Sequence, residues 1–204
     1  MNKKLLYFFI IVILIIISFS CTNESGLKKT VKTVSWEDDG NGYIQFSTND
    51  VTKCGIENYF HSSSDDQDPF TSATFYLIHK SGYESAEYGA IFCYNDIDNY
   101  YKILIINSGK YFVSEEYNGS STNVDTGWIS TSNLKTGYDK INKINITRDS
   151  NGKFTIYIND ANTYSFTNTD LTGGSNGFYS RTDSKENENF PDIPDDTRFK
   201  ITIP

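Results

Sequence analysis

Side chains that could act as acid, base or nucleophile are sparse in this chain of 204 residues. Its only histidines are His61 and His79, and no nucleophile elbow, a serine on a sharp strand-to-helix turn, accompanies either of them. The Cys-x-x-Cys and His-x-x-x-His spacings that zinc sites use are also absent. We therefore predict that both histidines are solvated surface residues, and that the chain has no catalytic triad and no zinc site.

Acidic side chains offer two further kinds of chemistry. Glycoside hydrolysis needs two carboxyl groups that flank one bond, but Glu115 and Glu116 are adjacent on a predicted strand and so point to opposite faces. Calcium takes carboxylate oxygens at loop tips, although Asp in a turn commonly bonds its own backbone instead. The acidic loop clusters are Asp38-Asp39, Asp65-Asp66 with Asp68, and Asp96 with Asp98. None has the spacing of a twelve-residue Ca²⁺ loop, so we predict no cofactor, with one bound Ca²⁺ kept as the alternative.

Aromatic side chains are the one feature suited to recognition, because the apolar CH faces of sugars stack on aromatic rings. Phe, Tyr and Trp make up 15% of the residues. The candidate ligand-binding residues, which lie on or beside predicted strands, are Tyr101, Tyr111, Trp128 and Tyr157. The alternative is that these rings fill the core of the domain, and we favour that position for Trp128.

The elements that must position these side chains are β-strands. Short apolar or alternating runs end at Asn, Asp, Gly or Ser, as in Tyr88–Tyr94, Tyr100–Ile106 and Phe154–Ile158. Continuous apolar runs predict strands buried on both faces. Hairpin turns are predicted at Ser108-Gly109 and at Asp149-Ser150-Asn151-Gly152. Strands at such spacing without helices predict an all-β, antiparallel jelly-roll sandwich over residues 36–204.

The N-terminus has the pattern of an export signal. Lys3 and Lys4 precede an apolar run from Leu5 to Ile17, which is too short for a stable bilayer span, and Ser18-Phe19-Ser20 leads into Cys21. This arrangement resembles the lipobox of bacterial lipoproteins, which implies cleavage after residue 20 and acylation of Cys21. Residues 21–35 are polar and are predicted to form a tether. An ordinary secretory signal and an uncleaved anchor are the alternatives.

The remaining cysteines, Cys54 and Cys93, form an even pair in a chain predicted to be exported. Such a compartment allows a disulfide to persist, so the pair is a disulfide candidate. Two buried free thiols that pack as small apolar groups are the alternative.

The charge balance excludes some classes of partner. The chain has 18 basic and 26 acidic residues, a net charge of −8. A mature chain that begins at Cys21 loses Lys3 and Lys4 and carries −10. A surface of that sign repels phosphate backbones and anionic lipids, so we predict no nucleic-acid partner and no membrane attachment through a basic face.

Five short segments follow one another in a characteristic order along the part of the chain predicted to be exported. They are Tyr88-Gly89-Ala90-Ile91-Phe92, Lys110-Tyr111-Phe112-Val113, Gly127-Trp128-Ile129-Ser130, Phe154-Thr155-Ile156-Tyr157-Ile158-Asn159 and Gly177-Phe178-Tyr179. This order resembles the concanavalin A-like lectin/glucanase superfamily in its laminin G-like form. The resemblance implies a jelly roll of two antiparallel sheets, with a concave sheet or rim loops available to sugars or proteins. Glucanases of that superfamily carry Glu-x-Asp-x-x-Glu on one strand, and no such motif is present.

These features together predict a bacterial protein anchored to the cell membrane or outer membrane through acylated Cys21, with its domain outside the cytoplasm. The sandwich is predicted to bind a glycan or a protein without catalysis. One alternative is an enzyme similar to the keto-disaccharide hydrolase branch of the superfamily, and another is a structural envelope protein. The residues that partly match the Trp-x-Ser and Phe-x-Tyr-x-Asn features of that enzyme branch are Trp128, Ser130, Phe154, Ile156, Ile158 and Asn159.

Overall fold

The computed structural model describes residues 34–48, 56–124, 127–182 and 195–202, and these residues form two antiparallel sheets. Sheet I has the order β1 (Val34–Asp38), β2 (Ile44–Thr48), β14 (Asp195–Thr202), β4 (Ser72–Ser81), β10 (Ile141–Arg148), β11 (Lys153–Ile158) and β12 (Ala161–Thr167). Sheet II has the order β3 (Ile56–Gln67), β13 (Gly174–Thr182), β5 (Glu87–Asp96), β6 (Asn99–Ile106), β7 (Lys110–Tyr117) and β8 (Ser120–Asn123), and β9 (Ile129–Ser130) pairs with β7. The described residues contain no helix, and the predicted all-β antiparallel jelly-roll sandwich is confirmed.

Alternation along the strands of sheet I separates its two faces. Ile144 and Ile146 on β10 and Phe154 and Ile156 on β11 are fully buried, while the residues between them are partly exposed. Because neighbouring side chains of a strand point to opposite sides, the buried set faces sheet II and the other set faces outward.

Hairpins form where the turn residues predict them. β10 and β11 are joined through Gly152, whose φ is +77° and whose N–H donates to the carbonyl of Asp149 at 3.1 Å. β6 and β7 are joined through Gly109, with φ +82°. Both positions need the left-handed backbone region, which glycine adopts without a steric cost.

Aromatic rings fill the core between the sheets. Phe154 on β11 stacks on Phe166 on β12 with ring centroids 5.0 Å apart, and Tyr101 on β6 lies 5.2 Å from Phe154. Phe92 completes the cluster at 5.3 Å from Tyr101. Contacts of this kind contribute packing energy beyond the buried area itself.

Two strands of sheet II, β5 and β6, are buried on both faces, as their continuous apolar runs predict. Ala90 and Phe92 on β5 belong to the core, whereas Ile91 belongs to a second apolar cluster on the outer face of sheet II. The other members of that cluster are Tyr94, Tyr100, Leu104 and Tyr179, with Phe112 packed against them.

Several predictions fall outside the described residues. These are the signal segment 1–20, most of the tether, the acylation of Cys21 and the disulfide partner Cys54. β1 begins at Val34, slightly before the domain start predicted at residue 36. Within the described residues, no helix is long and apolar enough to cross a membrane.

Candidate functional site

The outer face of sheet II carries a row of apolar positions set by cross-strand register. In each case neighbouring strands place the residues directly opposite one another. The row runs through Tyr179 on β13, Gly89 on β5, Leu104 on β6 and Phe112 on β7. Only glycine fits at position 89, because a Cβ there would lie 1.9 Å from the carbonyl oxygen of Ile103. The sheet is therefore tightly packed at the centre of this row.

Trp128 extends the row at its exposed end. Its ring packs on Phe112 with centroids 5.5 Å apart and is 38% exposed. The pairing of Ile129 and Ser130 with β7 fixes the segment, and the preceding Gly127 has φ +111°. The prediction that Trp128 fills the core is wrong, because β9 lies at the margin of the sheet and directs the indole onto Phe112.

A polar group lies beside the apolar row. Lys102 on β6 pairs with Glu116 on β7 at 3.0 Å, and the Ser121 hydroxyl donates to the same carboxylate at 2.8 Å. The Lys102 ammonium also lies over two rings, 5.7 Å from the centroid of Tyr100 and 5.3 Å from that of Tyr179. Both partners of the ion pair are mostly buried, so the group is held in a fixed arrangement.

The structure separates the four predicted aromatic residues. Tyr101 and Tyr111 lie in the core and present no ring to a ligand. Tyr157 is partly exposed on the outer face of sheet I, opposite Asn145 and Asn162. Only Trp128 lies at the outer face of sheet II. The prediction that Tyr101 and Tyr111 bind a ligand is therefore wrong, because the alternation of side chains along their strands directs both rings between the sheets.

Sequence reasoning missed the residues that accompany Trp128. Phe112 alternates with buried Tyr111 and Val113, which places it outward. The hairpin turn at Gly109 sets Phe112 opposite Leu104 and Ser114 opposite Lys102. Extending that hairpin register to both strands would have identified Phe112 and Lys102 on one face.

His79 contradicts its predicted surface position. Its side chain is fully buried, and Nδ1 accepts a hydrogen bond from Asn107 Nδ2 at 2.8 Å. The Tyr88 hydroxyl donates to Asn107 Oδ1 at 3.0 Å, which orients the amide. The apolar run before His79 on β4 carries it into the interior, where this network satisfies it. Its surroundings are those of a structural residue.

Glu115 and Glu116 point to opposite faces, as predicted from their adjacency. Glu116 faces outward to Lys102, whereas Glu115 accepts a hydrogen bond from Asn168 Nδ2 at 2.8 Å. Burial raises the pKa of the Glu115 carboxyl, and the nearby Asp170 adds to the increase. The Asp170 carboxylate that contributes to this increase is on the loop after β12.

Two of the acidic loop residues, Asp39 and Asp96, accept hydrogen bonds within their own turns. Asp39 accepts hydrogen bonds from the backbone of Asn41 and Tyr43, and these bonds, led by the one from Asn41, lower the pKa of its carboxyl. Asp96 accepts from the backbone of Asp98 at 2.8 Å. In the described part of the chain, no group of three or more His, Cys, Asp or Glu side chains is arranged to hold a metal ion.

Cys93 carries a buried free thiol at the end of the regular part of β5, with φ +52°. Burial raises the pKa of the thiol to about 12, so it remains protonated at neutral pH. The disulfide with Cys54 stays a prediction, because Cys54 is not among the described residues.

Solved structures with the same arrangement of sheets are known. The carbohydrate-binding module CBM66 from Bacillus subtilis superposes with a TM-score of 0.56 at 14% identity, over 82% of this chain and 89% of that one. A β-glucanase from Bacillus licheniformis superposes with a TM-score of 0.55 at 10% identity, over 81% of this chain and 79% of that one. The chain has a concanavalin A-like fold.

The concanavalin A-like resemblance is thus confirmed for the fold. No protein-family model matches the chain, and no curated protein sequence matches it. Identities of 10–14% transfer no residue roles. The role of the face around Trp128 in this concanavalin A-like domain therefore follows only from its own geometry.

Proposed function

We propose that the chain is a lipid-anchored, non-catalytic domain that binds a glycan at the outer face of sheet II. The observation that carries this proposal is Trp128, a ring 38% exposed and backed by Phe112. A large exposed aromatic held against a second ring is suited to stacking on a sugar. The β-sandwich neighbours, a carbohydrate-binding module and a β-glucanase, support a role in carbohydrate recognition.

The polar group on the same face of sheet II as Trp128 supplies the second half of a sugar site. Sugar hydroxyls both donate and accept, and Lys102 with Glu116 offers a donor and an acceptor side by side, 3.0 Å apart. This pair is already held in place by Ser121 and by the rings of Tyr100 and Tyr179. Ligand binding therefore costs little side-chain conformational entropy.

The test compares aromatic residues on the two outer faces. After a glycan array has identified a ligand, Trp128→Ala should weaken its binding by about 0.5–1.5 kcal/mol. Trp128→Phe should retain part of the affinity for a neutral glycan, and Tyr157→Ala, on sheet I, should leave that affinity unchanged. Thermal unfolding of each variant shows whether the domain remains folded. Unchanged affinity for Trp128→Ala would remove this face as the site.

Anchoring at Cys21 is proposed from the export signal alone. Cys21→Ser should abolish incorporation of a fatty-acid probe in a bacterial host and release the chain from the membrane fraction. A variant that still incorporates the probe would exclude Cys21 as the acylated residue.

A second function is favoured by one observation, the raised pKa of Glu115. A carboxyl group that holds its proton more strongly is suited to act as a general acid on a glycoside. Turnover of a glycoside by the purified chain, lost in Glu115→Gln, would place the protein among the enzymes. Binding without turnover would leave the non-catalytic function in place.

A further inference from the structure

Four neighbouring strand segments at the centre of sheet I carry a charge opposite to that of the chain. The strand segments 198–202, 74–78, 141–147 and 153–157 contain Arg198, Lys200, Lys143 and Lys153 but no Asp or Glu. The whole chain has 26 acidic and 18 basic residues, so this surface is a local reversal of sign.

The centre of this surface is a row of three residues, which we call the Lys-Tyr-Lys row. Lys200 on β14 is directly opposite Tyr76 on β4, and Tyr76 is directly opposite Lys143 on β10. All three are partly exposed, and their chain neighbours Phe199, Leu77 and Ile144 are buried in the core. The two lysines are separated by two strand spacings, roughly 9.5 Å, with the Tyr76 ring between them.

The two ammonium groups of the row have different neighbours. Lys200 has no carboxylate within ion-pair distance among the described residues, and its ammonium lies 5.6 Å from the ring centroid of Tyr43. Lys143 pairs with Asp160 at 2.6 Å, but the Asp160 side chain is 75% exposed. An exposed ion pair of this kind contributes little, so a ligand anion can replace Asp160.

Neutral hydrogen-bonding groups continue the surface beside the row. Asn145 Nδ2 donates to Thr74 Oγ1 at 2.9 Å, and Tyr157 lies opposite Asn145 on the next strand. The surface therefore combines two cations, aromatic rings and amide and hydroxyl groups on a regular sheet.

We propose that the Lys-Tyr-Lys row binds a linear glycan that carries carboxylate groups, with a sugar ring on Tyr76 and carboxylates at Lys200 and Lys143. This second face is independent of the site at Trp128. Charge complementarity selects an anion, and the ring between the two cations matches a chain in which sugar rings and carboxylates alternate.

An anionic membrane fits the same surface less well. A membrane presents a plane of negative charge that also meets the acidic residues around the row, including Asp39 and Asp160. Asp160 contacts Lys143 of the row, and Asp39 contacts Arg198, two residues before Lys200. Charges act over about 8 Å to 10 Å at ordinary salt, so these carboxylates oppose docking on a membrane. A single polymer chain contacts the row without bringing charge against the rest of the acidic domain.

The test uses the full chain, purified in neutral detergent micelles and titrated with polygalacturonate at low salt. We expect binding that weakens as salt increases, with dextran as the neutral control. Lys200→Gln and Lys143→Gln should each weaken binding about three- to fivefold, since each removes one ionic contact. Asp160→Asn should strengthen it, because Lys143 is released from its partner and Asn also tolerates the φ of +69° at this position.

Matched variants separate this proposal from the alternatives. Lys110→Gln removes the same charge from an exposed position on sheet II, and it should leave the affinity unchanged. Trp128→Ala should also leave polygalacturonate binding unchanged, so the failure of one site is distinguishable from the failure of the other. Absence of polygalacturonate binding, equal effects of Lys110→Gln and Lys200→Gln, or binding only to micelles containing phosphatidylglycerol would overturn the proposal.

Discussion

Asn159 provides the sharpest test of how this fold is held together. It occupies the turn between β11 and β12 with φ +50°, in the left-handed region. Its Oδ1 accepts from the backbone N–H of Lys143 at 3.0 Å, and its Nδ2 donates to the carbonyl of Asn133 at 2.8 Å and to Asn142 Oδ1 at 2.9 Å. One side chain thus joins three segments of the chain.

The expected cost of Asn159→Ala has two parts. Each of the three hydrogen bonds contributes about 1 kcal/mol, which gives about 3 kcal/mol. Alanine adds about 1 kcal/mol because its Cβ disfavours a positive φ, so the free energy of unfolding should fall by about 4 kcal/mol. Asn159→Gly loses the same hydrogen bonds without the φ cost and should lose about 3 kcal/mol.

Urea unfolding followed by circular dichroism measures both variants against the wild-type chain, and a thermal scan should show a decrease in Tm of about 10 °C for Asn159→Ala. A loss below about 1 kcal/mol for Asn159→Ala would show that these hydrogen bonds do not stabilise the turn. A glycine variant less stable than the alanine variant would refute the role assigned to φ.

Two further predictions concern sheet II. Gly89→Ala should destabilise the domain by about 3 kcal/mol or more in urea unfolding, because its Cβ meets the Ile103 carbonyl oxygen at 1.9 Å. Gly40→Ala, at a turn with φ +75° and open space around the new Cβ, should cost only about 1 kcal/mol, and equal losses would contradict this packing argument. For Glu115, burial raises the pKa in the folded state, so the native state binds the proton more tightly and the contribution of this carboxyl group to stability should increase as pH falls through that pKa. Glu115→Gln should be more stable than wild type at pH 7 and lose this advantage at low pH. An advantage that increases on acidification would show that the pKa of Glu115 is lowered by folding and not raised.

Local sequence patterns predicted the fold class and several of its details. The alternation of Phe154, Ile156 and Ile158 identifies a strand with one buried face, because side chains on a strand alternate with a period of two. Gly109 and Gly152 mark hairpins because their conformations are strained for other residues. The opposite directions of Glu115 and Glu116 follow from the same period.

The tertiary structure decided which aromatic residues face a ligand. Tyr101, Tyr111 and Trp128 have similar local surroundings in the sequence, yet the first two are in the core and the third lies on Phe112 at the margin of sheet II. The pairing of β9 with β7 controls this outcome, and it joins segments whose register only the folded sheet defines.

The burial of His79 and the assembly of the Lys-Tyr-Lys row also depend on contacts between strands. Burial of His79 on β4 is tolerated because Asn107, which directly follows β6, donates a hydrogen bond to its imidazole. Lys200, Tyr76 and Lys143 are far apart in the sequence and become neighbours only through the order β14-β4-β10. The sequence alone determined that the chain forms strands with one apolar face, because that information is local. Strand order and register determined which polar and aromatic side chains meet, because these arise from contacts between residues distant in the chain.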